Sequence, residues 1–238
     1  MDLKSIFEFL KEGANVCLIG RKKTKLLETK DLAKKKNLNG RIIIYKCDVS
    51  VEKKVKAVFR DIFKLFRRVD FLFNNAGIGL PALPIEDVKY EDWKKVMDIN
   101  INGMFLCAKY AYKIMKKQKI KGGRIINNGS ISAHSPRLGG AAYTTSKHAI
   151  TGLTKSISLD GRKDKVICSQ IDIGNAYTNL TKSFNKGTVQ ANGVKMVEPT
   201  IKVEDVAKTI LHICKLPLET NVFSTIIMAS NMPFIGRG

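Results

Sequence analysis

Four polar residues in the chain carry side chains that together could move a proton: Asn100, Ser130, Tyr143 and Lys147. Tyr143 and Lys147 are four residues apart, so a helix over residues 142–160 would place them on one face. A free phenol has a pKa of about 10 and is a weak acid–base catalyst at neutral pH, but a nearby ammonium group favours the phenolate. The spacing predicts that Tyr143 exchanges a proton with a substrate oxygen.

The elements that must position these side chains are strands that end at one edge of a sheet. Ser130 follows the apolar run 123–129, and the pairs or loops at 48–49 and 74–77 also follow apolar runs. Open α/β sheets bind ligands at the carboxyl ends of their strands. A Tyr-x-x-x-Lys pair alone is common and usually marks only a helix face. Its combination with these strand ends favours a functional site.

These motifs, in this order, resemble those of the classical short-chain dehydrogenase/reductase family over about residues 2–238: Asp48–Val49, Asn74–Gly77, Asn100, Ser130, Tyr143 with Lys147, and Gly174–Thr178. The resemblance implies one domain over residues 1–238, an α/β class fold and a Rossmann-type doubly wound parallel sheet. It also implies that a carbonyl and a secondary alcohol are interconverted, with hydride carried by a nicotinamide cofactor.

The resemblance assigns a role to each matching position. Tyr143 would be the general acid/base and Lys147 would lower its pKa and bind the nicotinamide ribose. Ser130 would bind the substrate oxygen, and Asn100 would hold a water molecule that relays protons. The cofactor would contact Asp48, Val49, Asn75, Ala76, Gly77, Tyr143, Lys147 and Thr178. In place of the family's usual Pro-Gly, the chain has Asp172-Ile173-Gly174.

The residues after the strand predicted at 15–19 bear on cofactor preference. They include no acidic side chain that could bind a ribose 2′-hydroxyl, whereas Arg21 offers a bidentate cation for a 2′-phosphate. We therefore expect NADP(H) rather than NAD(H). The alternative is that Arg21 only begins a solvated basic helix.

One part of a dinucleotide site is not found in the sequence. Such domains open with a strand and a glycine-rich turn that binds the pyrophosphate, but no glycine precedes Gly13 and residues 2–12 predict a helix. We expect an N-terminally truncated fold that lacks the first central strand, between the strands predicted at 15–19 and 70–73. Three explanations stay open: a truncated sequence, a genuine inactive or unstable short form, or direct pairing of the two flanking strands.

Composition narrows the class of protein. The five cysteines form no Cys-x-x-Cys pair, which predicts reduced thiols in a cytoplasmic protein, and no metal site is predicted. No apolar run reaches the roughly 18 residues of a membrane span. The net charge of +21 raises the alternative of a nucleic-acid binder, but the lysines lie on expected solvated faces without interleaved aromatics. We expect a small carbonyl or alcohol substrate, no specific nucleic acid and, from the resemblance, a homodimer or homotetramer.

Hydrophobic periodicity predicts alternating helices and strands. The helices are predicted at 2–12, 24–36, 51–66, 90–117, 142–160 and 203–214, and the strands at 15–19, 41–46, 70–73, 123–128, 165–171 and 223–228. Ser50 is the predicted N-cap of the third helix. The polar stretch 179–200 is predicted to form a mobile lid over the substrate. His134 could line the pocket, or be an ordinary polar loop residue. A catalytically impaired remnant or scaffold unable to bind the dinucleotide is the alternative function.

Overall fold

The computed structural model describes residues 3–177 and 187–235, and side chains from residue 6 onward within these ranges. Helices and strands alternate along most of this chain. The helices are α1 (Leu3–Lys11), α2 (Lys23–Lys35), α3 (Glu52–Phe66), α4 (Tyr90–Met97), α5 (Gly103–Lys117), α6 (Ala141–Gly161) and α7 (Val203–Lys215). The strands are β1 (Val16–Gly20), β2 (Ile42–Lys46), β3 (Phe71–Asn74), β4 (Gly123–Asn128), β5 (Val166–Ile173), β6 (Thr188–Val189), β7 (Lys195–Met196) and β8 (Ser224–Ile227).

The larger sheet is parallel and has the strand order β3-β4-β5-β8. Its register places Asn74 beside Asn127 and Asn128 beside Ile171, so these strands end at one common edge. Helices α5 and α6 pack against this sheet. The result is the predicted α/β, Rossmann-like fold with a parallel central sheet, and its carboxyl edge collects the polar side chains.

The strands β1 and β2 form a separate parallel pair. Within the described residues β1 pairs with β2 and β3 with β4, so the flanking strands do not pair directly with each other. The two sheets nevertheless share a core, because Cys17 of β1 and Leu72 of β3 both pack against the cluster that contains Ile125. That a first central strand and a glycine loop are lacking stays a prediction.

Two local features differ from the prediction. The predicted helix 90–117 is interrupted by one turn of π-helix, Asp98–Asn102, between α4 and α5. Ser50 is not the N-cap of α3; Val51 takes that position without a side-chain hydrogen bond. The amide and hydroxyl of Ser50 instead donate to Asp48 Oδ1, at 3.1 and 2.7 Å, because Asp48 forms a local turn with the residue two positions later.

The cysteine side chains lie mainly in the core of the protein. All five cysteines are free thiols; Cys17 is partly exposed and the other four are buried. Burial raises the pKa of Cys107, Cys168 and Cys214 to about 12. They therefore act as small apolar core residues rather than nucleophiles.

In the described part of the chain, every helix is too short or too polar to cross a membrane.

Candidate active site

The face of α6 that contacts the carboxyl edge of the sheet carries Tyr143 and Lys147. The ammonium nitrogen of Lys147 lies 5.4 Å from the centre of the Tyr143 ring. Lys147 is only 4% exposed, and its Nζ donates to the carbonyl oxygen of Asn128 at 2.8 Å. The four-residue spacing thus places both groups on one face of α6, with Tyr143 partly exposed and Lys147 buried.

Ser130 follows the end of β4 and begins a short 3-10 turn, Ile131–Ala133. Its hydroxyl oxygen accepts a hydrogen bond from the amide of Ser132 at 3.1 Å, and its own amide donates to Asp172 Oδ1 at 2.8 Å. Ser130 is buried and interacts with the hydroxyl of Tyr143. The turn therefore aims one fixed hydroxyl at the phenol.

Burial dominates the protonation of the tyrosine–lysine pair. It raises the pKa of Tyr143; the hydrogen bond with Ser130 and the charge of Arg137 oppose this rise, and the charge of Asp172 adds to it. Burial lowers the pKa of Lys147 to about 8, against the effect of Asp172. The resemblance implied a lysine that lowers the pKa of the phenol. In this structure the net shift is upward, because desolvation outweighs the hydrogen bond with Ser130 and the charge of Arg137. That Lys147 lowers the pKa of the phenol stays a prediction.

A raised pKa keeps the phenol protonated at neutral pH. Tyr143 can then donate its proton to the oxygen of a carbonyl group. Lys147, with a pKa of about 8, can hold or release a proton in the same range. The arrangement suits proton transfer to an oxygen that Ser130 also binds.

Asn100 lies on the π-helical turn and connects the loop after β3 to α6. Its Oδ1 accepts from the amide of Ile78 at 2.8 Å, while its Nδ2 donates to the Ile78 carbonyl at 2.9 Å and to Ser146 Oγ at 3.0 Å. The hydroxyl of Ser146 in turn donates to the carbonyl of Tyr143 at 2.7 Å. Asn100 is 1% exposed. It therefore fixes the helix turn that carries Tyr143; its role in holding a relay water stays a prediction.

A second link joins Lys147 to the end of β3. Asn128, whose carbonyl accepts from Lys147, donates from its side chain to Asn75 Oδ1 at 2.7 Å. The Oδ1 atom of Asn128 is buried and has no hydrogen-bond partner among the described residues. Ala76 and Gly77, next in the loop, are exposed. The carboxyl edge of the sheet thus presents the unpaired Asn128 Oδ1 and an exposed loop on the same side as Lys147.

Two further predicted cofactor residues, Arg21 and Asp48, line a separate cavity of about 310 Å³. Its walls combine cations, carboxylates and one apolar side chain: Arg21, Asp48, Ser50, Glu91, Lys94, Lys95, Asp98 and Ile99. The hydrogen bond from Ser50 lowers the pKa of Asp48, and the charge of Arg21 acts in the same direction. Val49 is buried against Gly103, where an added Cβ would lie 2.7 Å from Val49 Cγ2.

The π-helical turn joins the two regions. Ile99 lines the cavity, and the next residue, Asn100, bonds to Ile78 and Ser146 in the tyrosine cluster. An elongated ligand that contacts both regions would therefore pass this turn. The structure brings Asn75, Asn100, Ser130, Tyr143 and Lys147 together and holds Arg21, Asp48 and Val49 apart from them. Thr178 lies outside the described residues.

Sequence reasoning missed two acidic residues of the site, Asp172 and Glu198. Asp172 is fully buried and accepts from the Ser130 amide, from His134 Nε2 and from Gln170 Nε2, each at 2.8 Å. Its position near the end of a predicted strand, at the same edge as Ser130, was the available signal. Glu198 gave no such signal, because it lies in a polar stretch far along the chain.

Glu198 fastens the described part of the predicted lid to the sheet edge. Its side chain receives hydrogen bonds from both terminal nitrogens of Arg137, from Asn175 Nδ2 at 2.7 Å and from Gln190 Nε2 at 3.1 Å. Burial alone would raise the pKa of this carboxyl group, but the hydrogen bonds lower it to about 2. Residues 187–199 are thereby anchored, and contain the β6–β7 hairpin.

A parallel sheet with a serine, tyrosine and lysine at its carboxyl edge defines a class of dinucleotide-dependent oxidoreductases. A family model described as short chain dehydrogenase matches residues 4–188. The chain belongs to this short-chain dehydrogenase family.

Relatives with assigned names are dehydrogenases and reductases. A 3beta-hydroxysteroid dehydrogenase of Mediterraneibacter gnavus is 34% identical over 172 residues, which cover 72% of this chain and 60% of that protein. Sulfoacetaldehyde reductase 2 of Chromohalobacter salexigens is 30% identical over 215 residues, which cover 90% of this chain and 84% of that protein.

Solved structures show the same fold. ElxO with NADP bound superimposes with a TM-score of 0.80 and 28% identity, covering 94% of this chain and 91% of that one. An NAD+-bound xylitol dehydrogenase superimposes with a TM-score of 0.83 and 22% identity, covering 95% and 92%. The latter likeness supports the fold alone.

Proposed function

We propose that the protein is an NADP(H)-dependent oxidoreductase that interconverts a carbonyl and a secondary alcohol, with Tyr143 as the general acid/base. The observation that carries this proposal is the buried cluster in which Ser130 interacts with the Tyr143 hydroxyl while Lys147 lies 5.4 Å from the same ring. The names of the relatives support it, since they are dehydrogenases and reductases.

The residues of the chain act on the substrate oxygen. In the reducing direction, Ser130 and Tyr143 donate hydrogen bonds to the carbonyl oxygen, which polarises the carbonyl group. Tyr143 then transfers its proton to this oxygen as negative charge develops on it. Lys147 stabilises the resulting phenolate, and its ammonium group stays anchored on the Asn128 carbonyl. When bound, the nicotinamide cofactor supplies the hydride. Oxidation of the alcohol reverses the proton transfer.

The residues present fit most of a dinucleotide. The cavity of about 310 Å³ offers Arg21 for a 2′-phosphate and Asp48 for the adenosine end, and Val49 follows Asp48 in the chain. Asn75, Ala76 and Gly77 would line the ribose at the adenosine end of the cofactor, and the buried Asn128 Oδ1 provides an acceptor for a ribose hydroxyl. Tyr143, Lys147 and Thr178 complete the proposed set. The preference for NADP(H) depends on Arg21.

Two measurements test this proposal together. Titration of the purified protein with NADPH, followed by nucleotide fluorescence, should saturate below millimolar concentration. A panel of aldehydes and ketones should then be reduced, and Tyr143→Phe should lower kcat by about 100-fold or more while NADPH still binds. The matched control is Tyr90→Phe, an exposed tyrosine on α4, which should keep full activity. Failure to saturate would support the remnant or scaffold, and full activity of Tyr143→Phe would contradict the assigned mechanism.

We also propose that the protein is a cytoplasmic homo-oligomer whose contacts include α5. Phe105 is 46% exposed on this helix and is available for such a contact. Val96, on the preceding helix α4, is fully buried within its own chain and is not available for a contact with another copy. Sedimentation of wild type and of Phe105→Glu tests this, since the charge should dissociate the oligomer. An unchanged mass for the variant would place the contact elsewhere.

A further inference from the structure

Asp172 is a buried acidic residue behind the tyrosine cluster. It is 0% exposed, and three donors converge on it, two from the ends of the 3-10 turn and one from β5. The Ser130 amide binds Oδ1 at 2.8 Å, His134 Nε2 lies 2.8 Å from Oδ2, and Gln170 Nε2 lies 2.8 and 3.0 Å from the two oxygens. A buried carboxyl group with this many donors is held in one orientation.

His134 connects this buried carboxylate to the surface. Because an ionised carboxylate only accepts hydrogen bonds, the imidazole donates from Nε2. The His134 side chain is 37% exposed, and its ring lies 6.2 Å from the ring of Phe234 in an edge-to-face arrangement. His134 is four residues after Ser130, on the other side of the 3-10 turn. Asp172 thus holds this turn at both ends, through Ser130 and through His134.

The charge of Asp172 also acts on the proton-transfer pair. It raises the pKa of Tyr143, in addition to the larger effect of burial, and it raises the pKa of Lys147 against the larger lowering by burial. Lys147 on its own helix and Arg137 on the preceding loop also lie near the phenol, whereas His134 contacts Asp172. Arg137 lowers the pKa of Tyr143. Asp172 and Arg137 therefore have opposite effects on one phenol.

We propose that Asp172, held by His134, is a positioning residue for the reaction: it fixes Ser130 through its backbone amide and places a negative charge behind Tyr143 and Lys147. This inference rests on the function proposed above. It predicts that the charge and the hydrogen-bonding shape of Asp172 have separable effects. Removing the charge should change the pH at which Tyr143 titrates, whereas removing the acceptor should also displace Ser130.

The first test compares Asp172→Asn with Asp172→Ala. The asparagine keeps an acceptor for Ser130 but lacks the charge that raises the pKa of Tyr143. Tyr143, labelled with ¹³C at Cζ and assigned by the loss of its NMR signal in Tyr143→Phe, should therefore titrate at lower pH in the asparagine variant, with a severalfold larger phenolate fraction at a fixed pH. Asp172→Ala should in addition lower kcat by at least about tenfold, whereas Asp172→Asn should keep most of the wild-type kcat. An unchanged Tyr143 titration in a folded Asp172→Asn protein overturns the proposal.

The second test uses the accessible partner, where substitutions are tolerated more easily. His134→Leu removes the donor to Asp172, leaves its charge less compensated and should move the Tyr143 titration to higher pH, opposite to Asp172→Asn. His134→Gln retains a donor and should restore the titration toward wild type. His148→Leu is the matched control, because His148 is exposed on α6 and its Nδ1 lies 3.0 Å from the Thr144 carbonyl of the same helix. Equal titrations in His134→Leu and wild type would contradict the inference.

These outcomes are distinguishable from failure of the proposed function. The NMR titration needs neither cofactor nor substrate, so it reports on Asp172 even if no carbonyl is reduced. If wild type lacks activity but the titrations shift as expected, the proposed reaction is wrong, and the effect of the Asp172 charge on Tyr143 is supported. If wild type is active and loses activity in Tyr143→Phe while both sets of titrations stay constant, the function stands and the role of Asp172 is rejected.

Discussion

The carboxyl edge of the four-stranded sheet and the cavity beside β1 and β2 are built in different ways. At the edge, Asn100, Ser130, Lys147 and Asp172 are all buried and are held by hydrogen bonds from several elements. Around the cavity, Arg21 and Lys94 are exposed and act mainly through charge. Buried polar groups are costly to leave unpaired, so the edge is preorganised. The cavity can adapt to a ligand, because water solvates its charges when nothing is bound.

The largest expected effect is that of removing the buried ammonium group. Lys147→Met keeps the volume of the side chain and leaves the Tyr143 phenolate without a stabilising cation, so kcat/KM should fall by about 1000-fold. Steady-state kinetics with a panel carbonyl measures this loss. Lys155→Met, on the exposed face of the same helix, should be close to wild type. If Lys147→Met lowers kcat/KM by less than tenfold, proton transfer at the sheet edge does not depend on the Lys147 ammonium group.

A pH-dependent effect is expected at Glu198, which anchors the lid to the edge. Its pKa in the folded protein is about 2, below its usual value of 4.5, so it stabilises the fold above pH 4.5 and this contribution is lost as the pH falls toward 2. Glu198→Gln should lower the free energy of unfolding by up to about 3 kcal/mol at pH 7 and by much less at pH 3. Urea titrations at both pH values measure the difference. Glu219→Gln, at an exposed position, is the control, and a constant difference between pH 7 and pH 3 would contradict the expectation.

A smaller effect is expected from Asn100, which ties the π-helical turn to its neighbours. Asn100→Ala leaves the backbone groups of Ile78 without their partner, so the free energy of unfolding should fall by about 2 kcal/mol. Asn102→Ala lies on the same turn but is exposed, and should cost about 0.5 kcal/mol or less. Equal losses at both positions would indicate that the turn, rather than the buried amide, determines stability.

The smallest effect is expected in the cavity, where the charges are solvated. Arg21→Ala should weaken NADPH binding by about tenfold and leave NADH binding unchanged, since only the former carries the 2′-phosphate. Fluorescence titrations with both nucleotides measure this ratio. Lys23→Ala, an exposed cation at the start of α2, should alter both affinities equally or not at all. Parallel losses for the two nucleotides would show that Arg21 does not discriminate between them.

Much of the fold could be predicted from the sequence because its hydrophobic periods are strong. The predicted strand 123–128 matches β4, and the predicted helix 142–160 differs from α6 by one residue at each end. The interruption of helix 90–117 could not be predicted, because an apolar helical pattern continues through the π-helical turn. Ser50 was wrongly predicted as a cap because its bonds to Asp48 depend on the loop conformation rather than on the residue type.

The sequence by itself determined the family and placed Ser130, Tyr143 and Lys147 at elements that meet, since strand ends and helix spacing follow from periodicity. Only the tertiary structure decided how their charges balance. The pKa of Tyr143 is raised mainly by desolvation, against the hydrogen bond with Ser130 and the charge of Arg137, and the residue spacing does not report the degree of burial. Ser130, which donates to Asp172, and Asn175, which donates to Glu198, likewise belong to segments distant in sequence from these carboxylates, and only packing brings them within reach.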